Sequence, residues 1–482
     1  MPELRITLAT QHADAYFAPL ALLYLKAALV AGGTCGDDEV AILEFADATS
    51  AEAIAGRILE REPDVLGLSC YVWNITTLTT VCRLVKARRP QTRIVLGGPE
   101  VGPVAAAVLH ANPAADVVVR SEGERPLPAL ISEWMRHGDL AAVAGITYRN
   151  GGAVVETADA PILTHLDELA SPHLTLDTDL TGRSVCIETQ RGCVFRCNFC
   201  FYNKDLSIRN RRFDLDRVKE EIAHWLRQDI RELYLMDPIF NLNAARAKEI
   251  CRFIAAHNER RVGVHAEVWA EFIDDDMARL MREAGFTFLE VGLQSTADEA
   301  LATVERRLKL QRFLDGIAAL KRHELRWELQ LIAGLPGETR ASFRQSLDFA
   351  ATLEPPVLAV YPLMVLPGTE LWRKADELRL SYDPCPPYHV RSHYSMSEDD
   401  VAYGFRVVRA LQDIGEARAV TQLARQERLP YADLIDAWIA WDDAHPGDES
   451  IGYRTKHFLL EFCAGRQMPS DHCLQLLSAQ AG

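Results

Sequence analysis

The chain has 482 residues, 48% of them hydrophobic and 25% charged, a composition that indicates a globular protein of two or three domains and excludes a disordered or fibrous chain. Its formal net charge of −16 argues against a general binder of nucleic acid or of anionic membranes. No apolar run is long enough to span a bilayer, and Met1–Thr10 does not resemble a signal peptide, so a cytoplasmic protein is expected. Thiols stay reduced there, and 11 cysteines then indicate metal binding, redox chemistry or burial rather than a disulfide framework.

The first predicted domain, residues 1–150, alternates β-branched runs with helical stretches. Its predicted strands are Leu4–Ala9, Val40–Phe45, Val65–Ser69, Arg93–Gly97 and Asp116–Val119. The predicted helices between them include Pro19–Val30, Ala51–Glu60 and Thr76–Arg88. Strands separated by helices favour parallel right-handed crossovers, and therefore a doubly wound, Rossmann-like α/β sheet. Such a sheet binds its ligand beyond the carboxyl ends of the strands.

A connector, residues 151–181, follows, with a possible hairpin around Gly151 and Gly152. The second domain, residues 182–376, repeats strand and helix. Its predicted strands are Ser184–Thr189, Glu232–Met236, Gly263–Val268, Phe288–Leu293, Trp327–Ile332 and Val357–Leu363, and its predicted helices are Asp214–Arg227, Ala244–His257, Asp274–Ala284 and Thr339–Thr352. Six βα units suggest a partial or complete TIM-type (β/α)6 barrel, whose chemistry belongs at the carboxyl ends of the strands. Residues 377–482 are predicted to form a mainly helical C-terminal domain.

Three cysteines follow the first predicted barrel strand closely. Cys193, Cys197 and Cys200 have the spacing Cys-x3-Cys-x2-Cys. Three thiolates this close on one loop can bind three corners of a cubane iron–sulfur cluster. Because no fourth cysteine stands nearby, the fourth iron would be open to a ligand, as in catalytic metal sites. The alternatives are a three-cysteine zinc site or three unrelated buried thiols.

This spacing, at this place in a βα barrel, resembles the radical S-adenosylmethionine (SAM) superfamily. The resemblance implies a 4Fe-4S cluster whose open iron chelates SAM and whose electron cleaves the sulfonium to a 5′-deoxyadenosyl radical. It assigns the SAM side of the site to Phe199, Asp237, Glu267, Glu290, Gln294, Ser295, Arg306, Gly334 and Leu335.

The resemblance also suggests roles for some of these residues. Phe199 is expected beside the adenine and Arg306 at the methionine carboxylate. Asp237 is expected to share the contact to the amino group, because Met236–Asn241 replaces the Gly-Gly-Glu often found after the second strand. Glu290 could instead be a salt-bridged barrel residue, Arg306 a solvated helix charge and Gly334–Gly337 only a turn.

An α/β domain directly before such a barrel resembles the cobalamin-binding subclass of the superfamily. The phrases Gly97-Gly98-Pro99-Glu100 and Ser121-Glu122-Gly123-Glu124 are typical of it. The glycine pair would let the nucleotide tail of the cofactor approach the sheet, and the loop Ser69–Asn74 would lie beneath the corrin, with Tyr71 and Trp73 excluding water. The implied cobalamin contacts are Ser69, Cys70, Tyr71, Val72, Trp73, Gly97, Gly98, Pro99, Glu100, Glu122 and Gly123.

One alternative to cobalamin binding remains, and one motif of the cobalamin carriers is missing. A flavodoxin-like domain for another ligand, or for none, would have the same pattern, and Tyr71 and Trp73 could equally be ordinary interface core. Cobalamin carriers that place a histidine below the metal use Asp-x-His-x-x-Gly after the first strand, whereas Thr10–Tyr16 lacks that motif. His12 is therefore predicted to be a loop histidine, and cobalt is expected to have no protein imidazole.

The resemblance implies an enzyme that moves a methyl group from SAM, by way of methylcobalamin, to a carbon of a small-molecule or peptide substrate. Within the subclass, the chain looks closest to a group whose C-terminal domain has no assigned function. The alternatives are a non-methylating rearrangement, cyclisation or oxidation with the same cofactors, a polar methyl transfer without the radical, and a non-catalytic sensor. An electron donor of flavodoxin or ferredoxin type is the expected partner. No binding to nucleic acid or to a membrane is expected.

Two expectations concern the arrangement of the domains. The cluster, SAM and cobalamin are expected to face one cavity between the first two domains, because both folds present their loops at the carboxyl ends of parallel strands. The C-terminal domain is expected to cap the barrel mouth. Its run Tyr388–Tyr394 could contact substrate or could equally be a surface loop, and no catalytic residue is assigned.

Overall fold

The computed structural model of the protein describes residues 4–14, 16–203, 210–414, 423, 427–447 and 450–466. Parts of the predicted helical C-terminal domain, residues 415–422, 424–426, 448–449 and 467–482, lie outside the described residues. None of the described helices is both long enough and apolar enough to cross a membrane.

Seven strands form the first sheet. They are β1 (Ile6–His12), β2 (Val40–Ala46), β3 (Val65–Ser69), β4 (Arg93–Gly97), β5 (Val117–Val119), β6 (Ile146–Asn150) and β7 (Ala153–Glu156). Their spatial order is β2-β1-β3-β4-β5-β6-β7. Strands β1 to β5 are parallel, and β6 and β7 are antiparallel additions at one edge.

Helices cover both faces of this sheet, as predicted for a doubly wound fold. They are α1 (Leu20–Ala31), α2 (Ala51–Leu59), α3 (Ile75–Arg88), α4 (Ala105–Ala111) and α5 (Pro126–Arg136). Leu22 of α1 and Leu130 of α5 belong to one buried cluster, while Ile54 of α2 and Leu78 of α3 belong to a second. The two apolar faces explain why the central strands are almost continuously hydrophobic.

The first domain differs from the sequence prediction in two places. Strand β1 continues to His12, so the prediction of a loop histidine is wrong: the ring lies at the end of a strand, with its Nε2 2.7 Å from Glu44 on β2. The predicted hairpin at Gly151 is present, but its second strand, β7, belongs to the first sheet. The sheet therefore continues past residue 150, where the connector was expected to begin.

The connector ends in α6 (Pro172–Thr175) and is followed by the second sheet. Its strands are β8 (Ser184–Ile187), β11 (Glu232–Leu235), β12 (Gly263–Val268), β13 (Phe286–Gln294), β14 (Trp327–Ala333) and β15 (Val357–Pro362). All six are parallel in the order β15-β14-β13-β12-β11-β8. Strands β8 and β15 do not pair with each other, so the barrel is partial.

The helices of the second domain pack on the outer face of that sheet. They are α7 (Leu215–Leu226), α8 (Ala244–His257), α9 (Asp275–Ala284), α10 (Asp298–Thr303), α11 (Leu310–Arg322) and α12 (Arg340–Thr352). A short ribbon of β9 (Gln190–Arg191) and β10 (Arg211–Arg212) joins the two ends of the segment that carries the cysteines.

The first domain continues the barrel sheet at its edge. The Ala18 amide donates to the Ser184 carbonyl at 3.1 Å, and the Ser184 amide donates to the Tyr16 carbonyl at 2.9 Å. Arg183 also pairs with Glu44 of β2, with Nη2 2.7 Å from a carboxylate oxygen. These contacts hold the first sheet beside β8, the strand that leads into the cysteine loop.

The C-terminal domain packs against β14 and β15. Its elements are β16 (Ser381–Tyr382), β17 (Val390–Ser392), α14 (Glu398–Ile414), α15 (Tyr431–Ala444) and α16 (Ile451–Gly465), and the short α13 (Glu370–Arg373) precedes it at the end of the barrel domain. Trp438 of α15 and Phe458 of α16 are fully buried and pack edge to face. The run Tyr388–Tyr394 is not a free surface loop, because Val390 and His393 within it are buried.

Candidate cofactor site

The cysteine loop is held in place by its own Asn198. The side-chain amide of Asn198 donates to the Thr303 carbonyl at 2.7 Å, its backbone amide donates to the Val304 carbonyl, and its carbonyl accepts from the Leu371 amide. Cys197 next to it is buried, while Cys193 and Cys200 are half-buried. The loop is therefore anchored at its centre, and its two outer thiols are half-buried.

Arg306 lies against this loop rather than in solvent. Its Nη1 is 3.8 Å from the sulfur of Cys197, and its Nη2 donates to the Gly292 carbonyl at 2.6 Å. The guanidinium stacks 4.3 Å above the ring of Trp269, which stacks in turn on Phe195 of the loop. A fixed positive charge beside thiol groups favours their ionised form, which is the form that binds iron.

In the part of the chain that the structure describes, no three His, Cys, Asp or Glu side chains are grouped as ligands of a single metal ion. A four-iron cluster does not need such a grouping, because each thiolate bonds its own iron atom. Phe199, between the second and third cysteines, is half-buried and packs on the barrel core. The thiols, the neighbouring guanidinium and the fixed loop together fit a cubane cluster.

The inner face of the barrel is polar, because side chains alternate between the two faces of every strand. Its members include Tyr234, His265, Glu267, Glu290, Glu328, Gln330 and Tyr361. Glu290 pairs with His265 Nε2 at 2.9 Å and accepts from Gln330 at 2.9 Å, so it is the paired barrel residue that its sequence position allowed. Burial alone would raise the pKa of Glu290, but His265 and Gln330 hold that pKa below its usual range.

Glu267 has the opposite environment. Burial, and then the charge of Glu290, raise the pKa of Glu267 to about 8. A hydroxyl, that of Tyr234, lies 3.4 Å from its Oε1. At neutral pH this carboxyl therefore holds a proton and can donate it or take it back.

Asp237 is placed at the predicted position, but its oxygens are already used. The fully buried carboxylate accepts from the amide and the hydroxyl of Thr189, at 2.7 and 2.6 Å, and from the Gln190 amide at 3.1 Å. Burial nevertheless raises the pKa of Asp237 to about 7. Asp237 therefore holds the chain between β8 and the cysteine loop in place. This role was not predicted, because the resemblance implied only a contact to SAM.

The end of β13 turns sharply at Gln294, whose φ is +73°. Ser295 is fully buried, and its hydroxyl donates to the buried Glu338 at 2.5 Å. Burial raises the pKa of Glu338 to about 8. Glu338, which directly follows Gly334–Gly337, was not predicted from the sequence to have a role.

Gly334 and the buried Leu335 directly follow β14. Gly334 has a φ of +89°, and a Cβ added there would lie 2.8 Å from Val390 of the C-terminal domain. The absence of a Cβ at Gly334 therefore permits close packing of β17 on the barrel.

The loop after β3 is organised by Asn74, which is completely buried. Its amide nitrogen donates to the carbonyls of Gln11 and Ser69, each at 3.1 Å, and its oxygen accepts from the Tyr71 amide at 2.8 Å. Tyr71 and Trp73 stack face to face, with ring centroids 4.4 Å apart. Trp73 is 47% exposed, so the pair forms a flat apolar platform at the carboxyl end of the sheet.

The neighbouring residues of the predicted cobalamin set fall into two groups. Ser69 and Cys70 are buried beneath the loop, while Val72 and Pro99 are half-buried. Gly98, with a φ of +110°, packs on Cys70, whereas the nearest atom to a Cβ at Gly97 is 4.0 Å away. The space at Gly97 and the exposed platform fit a large flat cofactor.

Three predicted cobalamin contacts are engaged in other interactions. Glu100 accepts a hydrogen bond from the Tyr388 hydroxyl of the C-terminal domain. Glu122 accepts two hydrogen bonds from Arg211, at 2.7 and 2.9 Å. Gly123 lies close to Leu25 of α1, 2.9 Å from where a Cβ would stand. The phrase after β5 thus contacts the barrel domain and α1.

The cysteine loop lies beside the loop after β5 of the first domain. Arg191, which leads into the cysteine loop, has its Nη1 3.3 Å from a carboxylate oxygen of Glu122.

Comparison with family models matches residues 187–350 to the Radical SAM superfamily and residues 6–131 to the B12 binding domain. The chain is 31% identical over 332 residues to the cobalamin-dependent radical SAM methyltransferase TokK of Streptomyces tokunonensis. That alignment covers 64% of this chain and 48% of TokK, so the chain spans about half the length of this relative. It is also 28% identical over 321 residues to an anaerobic magnesium-protoporphyrin IX monomethyl ester cyclase of Synechocystis sp., with 64% and 62% of the two chains covered.

The fold matches that of TsrM from Kitasatospora setae, a radical SAM methyltransferase solved with tryptophan substrate and a SAM analogue. The TM-score is 0.66 at 18% identity, and 83% of this chain and 82% of that chain are covered. The predicted fold class, with a Rossmann-like domain before a partial barrel, is confirmed, as are the 4Fe-4S cluster, SAM and cobalamin as the cofactors of these domains. The chain belongs to the cobalamin-dependent radical SAM enzyme family.

Proposed function

We propose that the protein is a methyltransferase that moves a methyl group from SAM, with the help of cobalamin, to a carbon of a small-molecule or peptide substrate. The observation that carries the proposal is an ion pair between the two cofactor domains. Arg191, two residues before Cys193, has its Nη1 2.8 Å from Glu124, which follows β5 of the cobalamin-type sheet. The cysteine loop and the ends of that sheet are therefore adjacent, as methyl transfer between the two cofactor domains requires.

In this proposal Cys193, Cys197 and Cys200 hold the cluster, and the Tyr71–Trp73 platform lies under cobalamin. When bound, these cofactors supply the methyl group and the radical chemistry, which no side chain can supply. The side chains position and enclose them. Arg306 compensates the negative charge of the thiolates, the stacked rings exclude water, and Glu267 holds or accepts a proton at its carboxyl group.

The C-terminal domain contacts both the cobalamin-type domain and the barrel domain. The Tyr388 hydroxyl bonds Glu100 of the cobalamin-type domain, and the Tyr394 hydroxyl is 3.3 Å from Glu299 of α10. A cytoplasmic location and an electron donor of flavodoxin or ferredoxin type belong to the same proposal. Both follow from the need to reduce a cluster under conditions that keep thiols free.

A second candidate is a non-methylating reaction with the same cofactors, such as a cyclisation or oxidation. The observation in its favour is the 28% identity to a relative named as a cyclase. The same cysteine loop and stacked platform would serve it, because the outcome depends on the substrate and on what the substrate radical meets.

The test uses the anaerobically reconstituted, cobalamin-loaded protein, reduced and incubated with SAM labelled in its methyl group. We expect methyl label in the cobalamin fraction and formation of 5′-deoxyadenosine. A triple Cys193→Ala, Cys197→Ala, Cys200→Ala variant should form no 5′-deoxyadenosine and should contain no iron. Formation of 5′-deoxyadenosine without any label on cobalamin would favour the non-methylating reaction instead. Retention of about four irons by the triple variant would contradict the assignment of the cluster to these cysteines.

A further inference from the structure

Five charged side chains meet where the cysteine loop touches the cobalamin-type domain. We name them the Arg191 cluster, and its members are Arg191, Arg211, Glu122, Glu124 and Glu188. Arg191 Nη1 is 2.8 Å from Glu124 and 3.3 Å from Glu122, and its Nη2 is 2.9 Å from Glu188. Arg211 binds both oxygens of Glu122. Two guanidinium groups therefore share three carboxylates from two domains.

The two arginines are direct neighbours across the β9–β10 ribbon, where Arg211 is the cross-strand partner of Arg191. Like charges at such a position repel each other and destabilise a ribbon. Here Glu122 lies between them and contacts both. The positive charge of the two arginines in this ribbon is thus compensated by a carboxylate of the other domain.

The Arg191 cluster is shielded from water, which strengthens its interactions. The side chains of Arg191, Glu124 and Arg211 are 10%, 9% and 6% exposed. The guanidinium of Arg191 also stacks 4.8 Å above the ring of Tyr24 on α1, a second contact to the first domain. Its five donors are therefore held in one orientation.

Arg191 is joined to Cys193 by a single residue, Gly192, whose φ is +84°. The contacts of Arg191 therefore fix the chain two residues before the first cysteine. On the other side, Glu122 and Glu124 follow β5 and lead into α5, next to the ends of the strands that carry the cobalamin-type loops. One guanidinium thus connects the positions of the two loops that would hold the cofactors.

We propose that Arg191 is a positioning residue that sets the separation and orientation of the cluster relative to cobalamin, through Glu122 and Glu124. This inference rests on the proposed function only in assuming that both cofactors bind as assigned. It needs the planar fork of arginine, because three carboxylates approach from different directions and a lysine ammonium cannot bind them bidentately.

The experiment compares Arg191→Met and Arg191→Lys with the wild-type protein, each loaded with cluster and cobalamin and reduced until both are paramagnetic. We expect iron and cobalamin per chain to be retained in both variants. We expect the spin–spin interaction between cluster and cob(II)alamin, measured by pulsed electron paramagnetic resonance, to be lost as a resolved feature in Arg191→Met and weakened in Arg191→Lys. A role in fold stability alone would leave that interaction unchanged in every chain that binds both cofactors.

The matched control is Arg183→Met, which removes another ion pair between the two domains, to Glu44, and the hydrogen bonds of Arg183 to the Tyr16 and Phe17 carbonyls, without touching the cysteine loop. The backbone hydrogen bonds of Ser184 to Tyr16 and Ala18 still hold the first sheet beside β8 in this variant. We expect it to keep the wild-type interaction. An unchanged interaction in Arg191→Met, or the same loss in Arg183→Met, would overturn the proposal.

If Arg191→Met fails to bind the cluster, the Glu124→Gln variant tests the proposal instead, because it weakens the contact between Arg191 and Glu124 from the cobalamin-type domain. A wild-type spin–spin interaction in Glu124→Gln then overturns the inference, and a weakened one supports it. The proposed function fails separately, when wild-type protein with an intact interaction transfers no methyl label.

Discussion

At the scale of single residues, Gly98 shows how closely the cobalamin-type loops are packed. A Cβ at this position would lie 2.5 Å from the carbonyl oxygen of Cys70, in a backbone conformation with φ at +110°. We predict that Gly98→Ala destabilises the apoprotein by roughly 1–3 kcal/mol, because the strain is added to a steric clash. Thermal unfolding of the apoprotein measures this as a lowered midpoint.

Gly97→Ala is the matched control, since an added Cβ there has no neighbour closer than 4.0 Å. It should leave the unfolding midpoint near that of the wild type. It should also lower cobalamin affinity about ten-fold, as expected when a methyl group enters a space that a ligand fills. Equal unfolding midpoints for Gly98→Ala and the wild type would contradict the argument from packing.

His12 is already bound to another residue. Its Nε2 lies 2.7 Å from Glu44, which also pairs with Arg183, so the ring would have to break this contact to reach cobalt. We predict that cob(II)alamin bound to the protein shows no nitrogen superhyperfine splitting from a protein imidazole. Such a splitting in electron paramagnetic resonance, with its disappearance in His12→Ala, would show that His12 does ligate the metal.

At the scale of elements, the one-turn helix α6 is attached to α7 by a hydrogen bond that depends on pH. His173 is buried, and its Nδ1 accepts from the indole N–H of Trp225 at 3.0 Å, which requires a neutral ring. Burial, and then the charges of His224 and Arg217, lower the pKa of His173 to about 3. The unfolded chain binds a proton near pH 6.5 and the folded one does not, so this contribution to stability is complete above that pH and is lost as the pH falls.

We predict that acidification from pH 7 to pH 5 costs about 2 kcal/mol through His173, from ~1.4 kcal/mol for each pH unit below 6.5. His173→Gln keeps an acceptor for Trp225 without the titration. Its unfolding midpoint should therefore depend less on pH between 7 and 5 than that of the wild type. Parallel pH dependences for the two proteins would exclude His173 as the cause.

At the scale of the whole molecule, the edge contact between the Tyr16–Ala18 segment and β8 holds the two sheets side by side. We predict that an experimental structure of the loaded protein shows cobalt within ~10 Å of the SAM sulfonium, because a substrate must reach both cofactors. A much larger distance, with protein between them, would mean that the domains work independently. The family assignment would stand, and the function would move toward the non-methylating candidate.

Much of the architecture follows from local patterns in the sequence. An apolar run of strand length predicted β3 with its observed bounds, because burial on both faces leaves little choice of residue. Strand β12 also has its predicted bounds, but its residues alternate between buried and half-buried. The glycine pair at Gly151 predicted its hairpin, since turns favour residues that tolerate positive φ. Alternation within β12 to β14 also marks the polar inner face, and it would have identified His265 and Glu328, which were not assigned.

The sequence by itself determined which residues could bind cofactors, because the spacing of Cys193, Cys197 and Cys200 is a local property of one loop. Only the tertiary structure decided which of the predicted polar side chains remain free to bind a cofactor. Glu122, Asp237 and Ser295 stand in the predicted loops, yet each is bound by a partner more than forty residues away in sequence. Such pairs form because buried polar groups must be satisfied by whatever the fold brings near them, and one sequence does not record those neighbours.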